Sequence, residues 1–147
     1  MTDINDLKGR FYIQETHIRL KDGGKTTHKN GVVYTPAECV DFINNSVNAL
    51  LQKHFGVKMN DPCVHVLDPF AGTGIFLSRA IEQGLIDPEH QDVHQFELMP
   101  DSAEIARDNA RVSCEYAGSH GHVHTHCVDT FTLDPQVDPN DLPELEP

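Results

Sequence analysis

The sequence predicts an α/β domain built as part of a doubly wound parallel sheet, truncated after the third strand. Three observations carry that prediction. Short Val-containing runs alternate with helical patterns in the order strand, helix, strand, helix, strand, which implies parallel strands joined by helical crossovers. The first strand runs directly into Asp68-Pro69-Phe70-Ala71-Gly72-Thr73-Gly74, a glycine turn opening a helix. The second strand ends on an acidic residue, Glu97. In open parallel sheets, ligands bind beyond the carboxyl ends of strands, where these residues fall.

The elements follow in order. Residues 1–30 mix basic and polar residues around Phe11-Tyr12-Ile13, with a turn signal at Asp22-Gly23-Gly24-Lys25, and read as an N-terminal arm or linker. Thr35-Pro36-Ala37-Glu38 reads as a capping box, with Thr35 as N-cap and Glu38 reaching back. Behind it Val40, Ile43, Val47, Leu50, Leu51 and Phe55 recur at helical spacing, the apolar face of a long amphipathic helix that Gly56 closes. Val64 to Asp68 reads as a buried strand, and Ile75, Phe76, Leu77, Ala80 and Ile81 as a helix ending near Gly84. Val93 to Glu97 is the second strand. Asp101-Ser102-Ala103-Glu104 reads as the cap of the next helix, with Ala103, Ile105, Ala106, Ala110 and Val112 inward. The third strand spans roughly His122 to Val128 and ends at Asp129. Residues 134–147 form an acidic, Pro-rich tail.

Composition limits what the chain can do. Its 147 residues suffice for one domain. No apolar run approaches the roughly 20 residues needed to cross a bilayer, and no secretory signal opens the chain, so a cytoplasmic address is expected and no membrane partner. The formal net charge is -12, opposite to the basic face with which a domain grips DNA unaided. Cys39, Cys63, Cys114 and Cys127 form no C-x-x-C pair and read as reduced, mostly buried thiols.

The glycine turn admits a nucleoside ligand, because glycine lets backbone approach with no Cβ between. Glu97, about 20 residues past the glycines, is placed to accept both hydroxyls of a ribose. A dinucleotide fingerprint needs a third small residue, where this chain has Leu77. Asp68 would also set a carboxylate against pyrophosphate, whereas it suits the ammonium and sulfonium of S-adenosylmethionine. Charge favours the methyl donor.

These segments resemble the amino-group (N6-adenine) DNA methyltransferases. Asp68-Pro69-Phe70-Ala71-Gly72-Thr73-Gly74 is similar to their D-P-x-x-G-[ST]-G cofactor motif, and Gly31-Val32-Val33-Tyr34-Thr35-Pro36 to the [YF]-T-P motif preceding it. Phe96-Glu97-Leu98 resembles the acidic strand end, and Val128-Asp129-Thr130-Phe131 the next one. The likeness covers about residues 31–133, and Gly31-Val32-Val33-Tyr34-Thr35-Pro36, followed at once by a helix carrying Val40-Asp41-Phe42-Ile43, narrows it to a resemblance to Type ISP restriction-modification enzymes. It implies a Rossmann-like S-adenosylmethionine-dependent methyltransferase fold. By resemblance, Tyr34, Thr35 and Pro36 close over the methionine end, and Asp68 takes its amino group. Gly72 and Gly74, within Pro69, Phe70, Ala71 and Thr73, admit the nucleoside. Glu97 with Leu98 holds the ribose, and Asp129 with Thr130 the adenine rim.

The family's catalytic motif, [DNS]-P-P-[YFW], binds a flipped adenine at the end of a fourth strand. None of the five Asp-Pro pairs here continues into it. The expectation is a fragment: inactive alone, with DNA a partner of the full-length parent through its remaining methyltransferase and target-recognition regions. A methyltransferase fragment acting on protein or RNA, and a non-catalytic remnant, are the alternatives. An exposed sheet edge leads us to expect a homodimer.

Two further patterns are read conservatively. His120, His122, His124 and His126 alternate, so they would share one strand face, with Cys127 nearby. No Asp or Glu stands at a matching spacing; the stretch reads as a wet or edge face and no metal is assigned. Lys8, Arg10, Arg19, Lys21, Lys25 and Lys29 read as a solvated basic segment rather than a nucleic-acid arm.

Overall fold

The computed structural model describes residues 9–16 and 34–145. Residues 9–16 are helical (α1). Then come α2 (Ala37–Phe55), β1 (Val66–Asp68), α3 (Ile75–Glu82), β2 (Val93–Glu97), α4 (Pro100–Ala117) and β3 (His124–Cys127), with 3-10 turns at Thr130–Thr132 and Pro139–Asp141. The turn at Asp22–Lys25, the segment Gly31–Val33 and all the basic residues named above except Arg10 lie outside the described residues.

The sheet is parallel with order β1-β2-β3. Asp68 stands level with Gln95, and Glu97 with Cys127, so the acidic strand ends gather at one end. Each strand is shorter than or equal to its predicted length, because only the residues that meet a neighbour's ladder qualify. No strand-order reversal occurs among the described residues; β1 and β3 are the outer strands.

Helix α3 has Ile75, Leu77, Ser78, Arg79, Ala80, Ile81 and Glu82 all buried, as expected of a helix covered on several sides. Met59, Leu77, Ile81, Ile86, Val93, Ala110 and Val123 form the main core beneath it, while Phe11, Val40 and Ile75 form a second cluster. Phe11, at 1% exposure, thereby seats α1 in the interior. A buried polar network joins the same helices: Arg79 contacts Asp41 and Glu82, and Glu82 also accepts from Arg10 and Ser113. Among the described residues no helix is long and apolar enough to cross a membrane.

Four sequence expectations are corrected. Pro36, not Thr35, is the N-cap of α2, with no side-chain cap bond: its ψ of 142° is extended, so the helix opens one residue late. Helix α4 likewise begins at Pro100 behind Met99, ahead of the expected Asp101 box, because proline's fixed φ suits a first turn. The apolar stripe of α2 is mostly uncovered. Only Val40 and Asn44 are buried, while Val47 is 40% and Leu50 54% exposed; α2 touches α3, Phe11 of α1 and the segment around Met59, which leaves much of its stripe open. All four cysteines are free, and Cys39 and Cys63 are exposed rather than buried, since both sit outside the core-facing positions.

Candidate functional site

The glycine turn lies at the carboxyl end of β1 and is fixed by backbone and side-chain bonds to β2. Ala71 N–H donates to the Phe96 carbonyl at 2.9 Å. Gly72 N–H donates to Glu97 Oε2 at 2.8 Å, and Met99 N–H to Glu97 Oε1 at 2.9 Å. Glu97 therefore sets the turn's shape. Each carboxylate oxygen has a second lone pair, so both can still accept a hydroxyl.

The two glycines have separate duties. Both take positive φ, 57° at Gly72 and 75° at Gly74. A Cβ on Gly74 would lie 3.0 Å from Ala106 Cα, so this glycine lets α3 approach α4. A Cβ on Gly72 would meet nothing within 4 Å, and this is the position where backbone faces open space. Gly72 thus borders open space, whereas Gly74 is packed against α4.

Asp68 ends β1 beneath the turn. Its Oδ1 accepts the Phe70 N–H at 3.1 Å, while Oδ2 is buried with no hydrogen-bond partner among the described residues. Burial raises the carboxyl above its usual range, and the negative charge of Glu97 adds to this. An unpartnered buried carboxylate oxygen is costly unless a donor or cation completes it. Asp68 and Pro69 line a groove of about 460 Å³ with Ile43, Asn44, Val47 and Phe76 of the flanking helices.

The remaining predicted residues arrive from three directions. Thr130 hydroxyl donates to the Pro69 carbonyl at 2.6 Å, so the end of β3 touches the turn directly. Asp129 accepts from Phe131 N–H at 3.0 Å and shapes that 3-10 turn. The Phe70 and Phe131 rings, both exposed, stand 5.4 Å apart above it. Leu98 is exposed beside Glu97, and Thr73 is buried. Tyr34 and Thr35 are half-buried and Pro36 exposed; the next residue, Ala37, packs on the cluster holding Ile75, the residue after Gly74.

Sequence reasoning missed Asn109. It is buried on α4 and donates to the Thr73 carbonyl at 2.8 Å, while exchanging bonds with Gln14 of α1. A lone Asn within a helix gives no signal of this, because its partners are 36 and 95 residues away. The histidine stretch also departs from expectation. His126 is buried and meets the Phe96 ring edge-on, because it faces the sheet's covered side; His122 is exposed.

No family profile and no curated protein matches the chain. Solved structures do. The chain is similar to the DrdV–DNA complex at 29% identity and a TM-score of 0.58, over 68% of its own length. It is similar to a nuclease-deletion mutant of the Type ISP restriction-modification enzyme LlaGI in complex with a DNA substrate mimic, at 31% identity and a TM-score of 0.51 over 63% of its length. The ATP-dependent Type ISP restriction-modification enzyme LlaBIII bound to DNA gives 31% identity and a TM-score of 0.55 over 75%. The chain spans about a tenth of each of these proteins: 10%, 10% and 9%. The matched part of the chain is thus similar in fold to about a tenth of each of these DNA complexes, two of which are of Type ISP restriction-modification enzymes.

Proposed function

We propose that this chain is the S-adenosylmethionine-binding part of a site-specific adenine-N6 DNA methyltransferase belonging to a restriction-modification enzyme. One observation carries the cofactor reading: the buried, unpartnered Asp68 Oδ2 at the end of β1, beside a turn whose Gly72 faces open space. An anionic acceptor there repels a pyrophosphate and fits an ammonium group. The likeness to restriction-modification enzymes supports the DNA-modifying context.

In this reading Asp68 binds the ammonium, Gly72 admits the nucleoside, and Glu97 accepts the ribose hydroxyls on its remaining lone pairs. Tyr34 and Thr35 hold the carboxylate end, with Asp129 and Thr130 beside the adenine. When bound, S-adenosylmethionine supplies a sulfonium-activated methyl group for the exocyclic amine of the target base. The sequence has no [DNS]-P-P-[YFW] segment to position that base, so this chain alone binds cofactor and transfers nothing.

Calorimetry with S-adenosylmethionine tests the reading. Weak saturable binding is expected, abolished in Asp68→Ala and Glu97→Ala. Equal heats for all three proteins, or none up to millimolar ligand, would overturn it. Labelled cofactor with duplex DNA is expected to leave the DNA unlabelled.

A further inference from the structure

A second cluster of donor atoms lies at the opposite end of the sheet from Glu97. His124 opens β3, level with His94 on β2, whereas Glu97 and Cys127 are paired at the far end. His122 and His124 are two residues apart along an extended segment, so their side chains leave on the same side. Both meet one carboxylate. His122 Nε2 contacts Glu144 Oε1, and His124 Nδ1 stands 3.1 Å from Glu144 Oε2. One nitrogen from each ring and one oxygen of Glu144 lie within 4.8 Å of one another.

Contacts that do not involve the three donors bring Glu144 there. Leu145 N–H donates to the Thr125 carbonyl at 2.8 Å, which attaches the tail to the outer edge of β3. On the other side of Glu144, His126 Nδ1 donates to the Pro143 carbonyl at 3.1 Å. A carbonyl only accepts, so Nδ1 carries the proton and, in the neutral ring, His126 Nε2 accepts from His94 Nδ1 at 3.2 Å. The His94 ring in turn stacks on His124, centroids 4.8 Å apart. Glu144 is thus anchored through both chain neighbours, and His124 is oriented by a buried ring behind it.

We propose that His122 Nε2, His124 Nδ1 and a Glu144 carboxylate oxygen form a zinc-class divalent-metal site that pins the acidic tail to the exposed edge of β3. Two imidazoles and a carboxylate are ligands suited to zinc, and three protein ligands leave a fourth position for water. Donors sharing one tetrahedral zinc stand about 3.4 Å apart, so the cluster tightens by about 1.4 Å at most, which rotation of exposed and half-exposed side chains allows. A cation here also neutralises Glu144 within a chain of net charge -12.

The test uses the full chain and Zn²⁺ as the probe. Competition with a chelating dye is expected to give one equivalent bound, weakened on the order of 100-fold by His122→Ala/His124→Ala and by Glu144→Gln. A His65→Ala/His90→Ala control, altering exposed histidines elsewhere, should bind as wild type. Co²⁺ in place of Zn²⁺ should give a ligand-field spectrum without a thiolate charge-transfer band, and Zn²⁺ should slow amide exchange at Leu145. Absence of saturable binding, binding unchanged in the His122/His124 variant, a thiolate band from Cys127, or unaltered exchange at Leu145 would each overturn the proposal.

Discussion

Asp41 grips Arg79 with two bonds, Nε to Oδ1 at 2.8 Å and Nη2 to Oδ2 at 3.0 Å, and so joins α2 to α3 across 38 positions of sequence. Arg79 Nη1 reaches Glu82 at 2.5 Å on its own helix, and Glu82 takes Arg10 of α1 at 2.9 Å. With Ser113 of α4 also donating to Glu82 at 2.8 Å, one buried group of charges holds four helices in register. It contributes arrangement more than net stability, because desolvating these ions offsets much of their attraction.

Removing one member therefore exposes the cost of the others. Arg79→Met keeps the aliphatic volume but leaves Asp41 and Glu82 without their shared cation. A loss of about 3 kcal/mol is expected, read as a lower urea midpoint with an unchanged slope. A loss below about 1 kcal/mol would show that the network relaxes around the gap.

Asp68 sets function against stability. Burial raises its carboxyl, so the folded chain binds more protons than the unfolded chain between the ordinary value of 3.8 and the raised one. Stability from this group accordingly falls as pH rises through that window and stays lost at neutral pH. Asp68→Asn keeps the oxygen that accepts from Phe70 and removes the charge. It should raise Tm at neutral pH, with the gain shrinking as pH approaches 3.8, and should abolish cofactor binding. An unchanged Tm, or binding retained, counts against the role given to Asp68.

The two glycines should separate in the same experiments. Gly74→Ala brings Cβ against Ala106 at positive φ and is expected to cost about 2–3 kcal/mol. Gly72→Ala meets nothing and should cost about 1 kcal/mol from its φ alone, yet weaken cofactor binding more than stability. Equal destabilisation by both would mean that Gly72 also serves packing.

The uncovered face of α2 and the outer edge of β1 adjoin, with Val47, Leu50 and Leu67 all at least 40% exposed. An unpaired strand edge beside apolar surface favours association with a second copy. Sedimentation should show mass rising with concentration, and Leu67→Lys should restore the monomer. A wild-type chain that stays monomeric at high concentration would refute this.

How far the sequence reaches depends on the range of the physics involved. The alternation of elements, the second strand from Val93 to Glu97 and the left-handed closure at Gly56 were all legible, because periodicity and glycine conformation act over a few residues, whereas the bond from Gly72 N–H to Glu97 appeared only once the two strand ends met. Other features were decided by neighbours distant in sequence. Whether Ile43 and Val47 face protein or solvent depends on what lies beside α2, and an apolar stripe looks the same in either case. Gly74 became a packing glycine only because Ala106 arrives against it. Phe11, read within a plain N-terminal segment, was buried by Val40 and Ile75. Glu144 reached His122 and His124 because the tail hydrogen-bonds along β3, a contact spanning about twenty residues that no local spacing encodes. Local conformational preference thus determined the elements and the turn, while the choice of partners, and with it burial and charge pairing, belonged to tertiary packing.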